Sequence, residues 1–301
     1  MSAKQTKMTM LPPIRAGQAH PASLKTSPWL ANALSYAALI VAGALVALPF
    51  LWMLSTSLKP DAQAVYQVPP QWFSAPLTWH NYVRAWQSAP FGRYLANSIG
   101  VGVAATVLQV VNACLCAYVF ARLHFRGRDL LFLLFMAVLM IPSQVSVVPV
   151  YIILARLHWL NTYWALILPF AASAFGTFLI RQAFMSIPDE LSDAAVIDGA
   201  SHFQVLRYVM VPLSKPIIIT FALLAFNWRW NDYFWVLIMT TSDYMRTLPV
   251  GLAAMRASPE GGANWQFVMA ATVIVILPVV ALFTVTQRYF IEGVTHTGLK
   301  G

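Results

Sequence analysis

The chain has 301 residues, of which 59% are hydrophobic and only 10% are charged, and its formal net charge at pH 7 is +9. Because an ordinary soluble domain carries about 25% charged residues, this composition excludes that class. In a soluble protein such a net charge would indicate nucleic-acid binding, but here the basic residues lie between apolar runs and indicate membrane orientation. We therefore predict an all-α polytopic membrane protein that contacts the lipid bilayer and binds no nucleic acid.

Six apolar runs follow a polar N-terminal segment. Residues 1–28 contain prolines and basic residues but no acidic residue, which predicts a cytoplasmic tail. The first run is uncharged and far exceeds the apolar core of a signal peptide, about 7–15 residues, so we interpret it as an uncleaved span. The predicted transmembrane domain covers residues 29–290 and precedes a cytoplasmic tail at 291–301. The predicted spans lie near residues 29–58, 94–121, 130–155, 159–180, 217–239 and 267–286.

Charge assigns the two sides of this arrangement. Twelve of the 19 lysines and arginines fall on the side that holds both termini, and six fall on the opposite side. The positive-inside tendency therefore places both termini in the cytoplasm and the segments 59–93 and 240–265 outside as loops. Within the third run, Pro142 and Pro149 predict a span that is kinked or ends early, because proline removes a helical hydrogen bond.

The residues that usually carry chemistry are scattered. Cys114 and Cys116 lie inside an apolar run without ligand partners and are interpreted as packing residues. His158, His202 and His296 have no metal-ligating neighbours in the sequence. No phosphate-binding loop of the type G-x-x-x-x-G-K-[ST] and no hydrolase motif occurs. We therefore predict no catalytic residue, no metal and no cofactor in this chain, which would not itself be an enzyme.

The longest segment of mixed polarity, residues 186–216, predicts two short helices joined by a sharp turn. Ser186 is the predicted N-cap of the first helix, with Pro188 in its opening turn. Gly199 is the predicted stop, because glycine readily takes the left-handed conformation that closes a helix.

The second helix of this element has its own start and stop signals. Ser201 and Gln204 have the S-x-x-Q spacing of a capping box. Pro212 is the predicted end of the helix. On the first helix, one face is formed by small and apolar residues at i, i+3, i+4 and i+7 spacing, which are Leu191, Ala194, Ala195 and Asp198. Spacing alone favours equally a docking surface for a partner protein and a simple linker between spans.

One spacing in this element is specific. It is formed by Asp193, Ala194, Ala195, Gly199, Val209, Val211 and Pro212. This pattern resembles the EAA motif of bacterial ATP-binding-cassette (ABC) importer permeases, E-A-A-x3-G-x9-I-x-L-P, with Asp for Glu, Val for Ile and Val for Leu. In that family the motif forms a coupling helix that sits in a cleft of the ATPase subunit. The resemblance therefore implies coupling contacts at Asp193, Ala194, Ala195, Asp198, Gly199, Ala200 and Pro212.

The resemblance extends from about residue 97 to 290. The stretches ANSIGVGVAAT, AYVFARLHFRG, MIPSQVSVVPVYIIL and WNDYFWVL are similar to the carbohydrate-uptake branch of these permeases, the maltose-type subunit with six spans. This implies alternating access in a bacterial inner membrane, a heterodimer with a second permease, and an extracytoplasmic sugar-binding protein. It also implies two copies of an ATPase that binds ATP and magnesium.

Other functions remain as alternatives. One is an ABC permease for a solute other than a sugar, because related branches share the motif. Another is an integral-membrane transferase, which would need clustered polar groups. A third is a proton-coupled carrier, which would need ionisable groups at mid-membrane, where Arg229 and Asp232 are the candidates.

The fifth predicted span contains a polar and aromatic cluster, formed by Asn227, Arg229, Trp230, Asn231 and Asp232. Aromatic faces beside polar groups suit a sugar pathway. An Arg–Asp pair at i, i+3 that neutralises itself against the partner permease is the other interpretation, and we favour it. In the second span we predict that three amides form interhelical hydrogen bonds, at Asn97, Gln109 and Asn112.

Overall fold

The computed structural model describes residues 28–60, 71–72 and 76–298. The predicted N-terminal tail, residues 1–28, lies outside these ranges apart from its last residue. The chain divides into two compact units, Met1–Phe50 and Leu51–Gly301. Throughout the described ranges the secondary structure is helical, without a β-strand, which confirms the predicted all-α class.

Fourteen helices are found in these ranges, and short 3-10 turns occur at Val138–Met140, Leu168–Phe170 and Asp243–Met245. The helices are α1 (Pro28–Ser57), α2 (His80–Ser88), α3 (Phe91–Arg122), α4 (Arg128–Ala137), α5 (Ser143–Arg156), α6 (Tyr163–Ile167), α7 (Ala174–Met185), α8 (Asp189–Ile197), α9 (His202–Leu213), α10 (Lys215–Trp230), α11 (Phe234–Met239), α12 (Leu248–Arg256), α13 (Pro259–Ala263) and α14 (Trp265–Gly298).

Helix length and composition are those of a membrane protein. Among the described residues, three helical stretches are long and apolar enough to cross a bilayer, namely Asn32–Ser57, Phe91–Arg122 and Trp265–Thr284. Three further pairs pass the same test jointly but are bent, by 97° between α4 and α5, 41° between α6 and α7, and 84° between α9 and α10. If each bent pair is counted as one span, the number reaches six, but the third pair includes α9, which belongs to the element predicted to lie in the cytoplasm.

The third predicted span breaks at one proline and continues through the other. Ile141 leaves the helical region with ψ 116°, directly before Pro142. This is the expected effect of a proline on the residue before it. Pro149, by contrast, lies inside α5, which continues to Arg156, so the expectation that both prolines interrupt the helix is wrong for Pro149.

The fifth predicted span is divided into α10 and α11 by residues 231–233. The cause is local, because the Asp232 carboxylate accepts a hydrogen bond from the Trp235 backbone N–H at 3.2 Å. A side chain that takes a backbone donor in this way competes with the helical ladder and starts a new helix. The helix that contains the sixth predicted span is continuous and extends to Gly298.

Two segments predicted as loops contain helices. The segment 240–265 holds α12 and α13, and Pro249 occupies the first turn of α12, where a missing N–H is tolerated. The segment 59–93 holds α2, whose buried Asn81 donates from Nδ2 to the carbonyls of Ser57 and Lys59 at 2.8 Å each. These bonds satisfy carbonyls at the end of α1. Burial also lowers the pKa of the Lys59 ammonium.

Three apolar clusters form the core of the second unit. One of them, called the coupling cluster, joins α3, α7, α9 and α10. Its fully buried members include Ala117, Phe184, Met210 and Phe221. Cys114 belongs to it, which confirms the packing interpretation of that thiol. The second half of the predicted two-helix element is therefore part of the protein core.

Candidate functional site

The predicted two-helix element is present as α8 and α9. Helix α8 follows Pro188 at its N-cap, and Asp189 lies in its first turn, where a carboxylate is favoured by the helix dipole. The prediction that Ser186 caps α8 is wrong. Helix α7 extends to the residue before Ser186, and the Ser186 hydroxyl donates to the Ala183 carbonyl at 2.7 Å.

The turn between the helices has the predicted geometry. Gly199 has φ +87°, the left-handed conformation. Its N–H donates to the Val196 carbonyl at 3.0 Å, and the Ala200 N–H donates to the Ala195 carbonyl at 2.9 Å. These are the two hydrogen bonds of a Schellman motif. A Cβ placed on Gly199 would meet nothing within 4 Å, so inside this chain the glycine is required for its backbone angle alone.

The start of α9 is the predicted capping box. The Gln204 N–H donates to the Ser201 hydroxyl at 3.4 Å, and the Ser201 N–H donates to the Gln204 side-chain oxygen at 2.7 Å. Pro212, however, does not end the helix, which continues to Leu213 after a π-helical turn at Leu206–Met210. Pro212 lies in the last turn of α9, one residue before its end. The 84° bend follows at Ser214.

The predicted coupling residues divide between an exposed and a packed surface. The packed members are Ala195 and Ala200, which lie partly buried against the coupling cluster. The predicted small face of α8 is therefore shared between the core and solvent. Beside it, Ile197 is 85% exposed, although sequence reasoning did not single it out. The exposed coupling residues are Asp193, Ala194, Asp198, Gly199 and Pro212.

The element is attached to the end of α3 by Arg122. Its Nη2 donates to the carbonyl oxygens of Phe184 and Ile187 at 2.8 and 2.7 Å, and its Nη1 forms an ion pair with Asp189. The Arg122 side chain is only 9% exposed. Sequence reasoning counted Arg122 only as a basic residue of a loop, because its partners lie more than 60 positions away and leave no local pattern.

A second attachment joins α3 to α9. The Tyr118 hydroxyl lies 3.1 Å from His202 Nδ1, at the first residue of α9. Tyr118 itself is buried in the coupling cluster, whereas His202 is exposed. The histidine, which the sequence left as a scattered loop residue, therefore has a structural contact. An apolar groove of about 450 Å³ opens beside this contact and is lined by both residues and by Phe203.

The polar cluster of the fifth predicted span forms a closed ion pair. Arg229 Nη1 lies 2.8 Å from the Asp232 carboxylate, and both side chains are 15% exposed. The Arg229 guanidinium also lies over the Phe170 ring, 3.5 Å from its centroid. The charges of Arg229 and Asp232 thus neutralise each other within the chain, as expected for an Arg–Asp pair at i, i+3. Trp230 is buried against Phe226 and offers no surface to a solute.

Two amides of the same cluster remain accessible. Asn231 Nδ2 donates to the side-chain oxygen of Asn227 at 3.0 Å and to its carbonyl at 2.8 Å, and both residues are exposed. Trp228 and Tyr233 are exposed beside them. This surface combines amide groups with aromatic rings, which is chemistry that can contact a polyhydroxylated solute or a partner subunit.

The end of α3 that begins at Phe91 carries a different network. Asn97 donates to the carbonyls of Tyr244 and Arg246 at 2.9 and 2.8 Å and accepts from the Tyr163 hydroxyl at 2.8 Å, which confirms its predicted interhelical role. Asn112 does likewise, since its amide donates to the Ala171 carbonyl at 3.0 Å. Because Asn97 lies 25 residues before Arg122 on the same helix, its hydrogen bonds are about 38 Å along α3 from the coupling element.

A cavity of about 430 Å³ adjoins this network. Its lining includes Tyr94, Asp243 and Arg246, and the Tyr94 hydroxyl donates to Asp243 at 2.8 Å. Asp243 also pairs with Arg246 at 2.6 Å. Within the described part of the chain, no group of three or more His, Cys, Asp or Glu side chains could hold a metal ion.

Comparison with known families and proteins gives consistent results. Residues 109–296 match the family described as the binding-protein-dependent transport system inner membrane component. The chain is 35% identical over 265 residues to the sn-glycerol-3-phosphate transport system permease protein UgpE of Yersinia enterocolitica, covering 86% of this chain and 94% of that protein.

Two further similarities cover nearly the whole chain. An arabinooligosaccharides transport system permease protein, AraQ of Halalkalibacterium halodurans, is 33% identical over 279 residues, with 92% of this chain and 99% of that protein covered. The fold is similar, with a TM-score of 0.78 and 25% identity, to a chain of a bacterial ABC transporter involved in the import of the acidic polysaccharide alginate. That match covers 90% of this chain and 100% of the other.

Proposed function

Because this chain belongs to the family of binding-protein-dependent transport system inner membrane components, we propose that it is the permease subunit of an ABC importer for a carbohydrate or a related polyol phosphate. The observation that carries the proposal is the two-helix element. It presents exposed EAA-type residues on α8, while α9 is packed into the same cluster as α3, α7 and α10. A partner bound to α8 is therefore in mechanical contact with the membrane helices.

The proposed mechanism is alternating access driven by ATP hydrolysis on a partner. This permease pairs with a second permease, and each supplies half of the pathway. Two copies of an ABC ATPase bind ATP and magnesium, and one of them docks on α8 and the turn after it, through a surface that includes Asp193, Ala194 and Gly199. An extracytoplasmic binding protein delivers the solute. The chain itself performs no covalent chemistry.

The proposed solute class rests on relatives and on surface chemistry. The similar permeases carry the names of glycerol-3-phosphate and arabinooligosaccharide transport systems. In this chain the exposed amides of Asn227 and Asn231 lie beside aromatic rings, and we assign them contacts with solute or with the partner permease. The closed pair of Arg229 and Asp232 is assigned a structural role, because neither charge is free to take up a proton or a solute.

Reconstitution tests this function directly. The chain would be co-expressed with its second permease and ATPase, purified, and placed in liposomes with the binding protein. A panel of labelled mono-, di- and oligosaccharides, glycerol phosphate and amino acids would then be supplied with ATP or a non-hydrolysable analogue. We expect ATP-dependent uptake of one carbohydrate or polyol phosphate and no nucleotide binding by the isolated chain. Uptake of an amino acid alone would favour an ABC permease for a solute other than a sugar. Stoichiometric ATP binding by this chain would contradict the proposal that only the partner ATPase binds ATP.

The proposed orientation places both termini and α9 in the cytoplasm. In a variant lacking Cys114 and Cys116, a single cysteine at the exposed position Arg207 should be protected from a membrane-impermeant thiol reagent in intact cells. A cysteine at the exposed position Ala257, after α12, should react. The opposite labelling pattern would reverse the orientation.

A further inference from the structure

We propose that Arg122 is the positioning residue that makes the end of α3 and the start of α8 move as one body during transport. This inference rests on the proposed function, in which α8 receives the ATPase. Arg122 lies at the last position of α3, and its guanidinium reaches one acceptor at the end of α7, one in the connecting turn and one at the start of α8. The connection from α7 into α8 is thereby fixed to a membrane helix.

The acceptors themselves explain why an arginine is needed. The Phe184 carbonyl belongs to the last turn of α7 and also accepts the Ile187 N–H at 3.2 Å, and the Ile187 carbonyl lies in the turn that follows. Both residues are at most 9% exposed, so water does not readily replace the guanidinium. A planar guanidinium can donate to both carbonyls and to Asp189 at once, which a lysine ammonium on a flexible stem cannot reproduce.

The hydrogen bonds from Arg122 to the two carbonyls, rather than its ion pair with Asp189, position the α7–α8 turn. The Asp189 side chain is 82% exposed, and an exposed ion pair contributes little because water screens it. Hydrogen bonds from a charged donor to buried carbonyls are much stronger and fix a direction as well. Removing the guanidinium should therefore loosen the α7–α8 turn, whereas neutralising Asp189 should leave it almost unchanged.

The consequence for transport is specific. Helix α8 has no fully buried residue, so apart from the partial packing of Ala195 its orientation relative to α3 and α7 depends on such side-chain contacts. If ATP-driven motion of α8 reaches α3 through Arg122, loosening that link should leave ATP hydrolysis running while less solute moves per ATP. A residue needed only for folding would instead reduce the amount of complex and leave that ratio unchanged.

The first test measures solute imported per ATP hydrolysed in liposomes that contain the whole complex. For Arg122→Gln we expect this ratio to fall about tenfold, as the loss of charge-assisted hydrogen bonds implies. Arg122→Lys should recover part of it, and Asp189→Asn should stay near wild type. The control is Arg126→Gln, which removes an exposed arginine four residues further along the chain. A wild-type ratio in both Arg122 variants would overturn the proposal.

The second test does not depend on transport. In a variant lacking Cys114 and Cys116, spin labels on cysteines at the exposed positions Phe125 and Glu190 report the distance between the end of α3 and the start of α8. In the otherwise wild-type complex this distance should keep one narrow distribution with and without ATP, and in Arg122→Gln it should broaden or shift. A distance that changes with ATP despite Arg122, or one that Arg122→Gln leaves unchanged, would overturn the proposal. A complex that hydrolyses ATP but imports none of the panel would contradict only the proposed solute class.

Discussion

Helices α8 and α9 are neighbours in the chain, but the fold uses them in opposite ways. Helix α8 has no buried residue, and its outer surface includes an isoleucine that is 85% exposed. Helix α9 buries Val205, Leu206 and Met210 in the coupling cluster. A motif of two helices can therefore separate docking from anchoring. The exposed helix meets the partner, and the buried helix holds the connection to the membrane.

The largest effect should come from damaging the anchor. Met210 is fully buried, so Met210→Ala should lower the free energy of unfolding by about 2–5 kcal/mol through lost burial and a cavity. The measurement is thermal denaturation of the detergent-solubilised complex. Met185→Ala is the matched control, because that side chain is 52% exposed, and its effect should stay within about 0.5 kcal/mol. Equal effects of the two variants would contradict the anchoring role of α9.

The turn between the two helices comes next. Gly199→Val should lower the free energy of unfolding by about 1–2 kcal/mol, because a β-branched residue is disfavoured in the left-handed backbone conformation. Gly127→Val is the control, since Gly127 also has a left-handed φ of +85° and no neighbour within 4 Å of a Cβ. Both variants should lose similar thermal stability, but only Gly199→Val should reduce solute uptake with its ATPase present. Wild-type uptake by Gly199→Val would show that the two-helix element only links membrane spans.

The capping box should matter somewhat less. Ser201→Ala removes the hydroxyl that accepts the Gln204 N–H and should lower stability by about 1 kcal/mol. Ser186→Ala is the comparison, because Ser186 is exposed and does not cap α8. Its effect should stay within about 0.5 kcal/mol. Thermal denaturation of both variants checks this order, and a reversed order would contradict the assigned cap.

The smallest effect on stability should come from the exposed face of α8. Ile197→Ser should change the free energy of unfolding by less than about 0.5 kcal/mol, because the side chain is already in solvent. The affinity for the ATPase should nevertheless fall by about 1–2 kcal/mol if docking buries this side chain. Titration of the permease pair with purified ATPase measures this affinity. Unchanged affinity would show that the partner does not cover this face.

Features set by adjacent residues could be predicted from the sequence. The left-handed Gly199 and the reciprocal bonds of Ser201 and Gln204 depend on residues at most five positions apart, and both were confirmed. The interruption of α4–α5 at Pro142 follows from the steric effect of a proline on its neighbour. The alternation of apolar runs and polar segments likewise predicted the helical class.

Other features depend on contacts between distant segments. The role of Arg122 needs α7 and α8 to lie beside the end of α3, and no pattern around position 122 indicates this. The division of the fifth predicted span could have been found, because aspartate favours helix starts and Asp232 lies two residues before α11. Helix α12 was missed because Pro249 was taken for a loop residue, although proline also suits the first turn of a helix.

The bend between α9 and α10 makes α9 a lever arm. The two axes meet at 84°, so a shift of α10 along its axis carries α9 along without changing its direction. A rotation of α10 about its axis instead sweeps the far end of α9 sideways. For an arm of 12 residues, about 18 Å long, a rotation of about 10° displaces that end by about 3 Å. A small sideways force on the turn before α9 is thereby converted into rotation of α10 about its own axis.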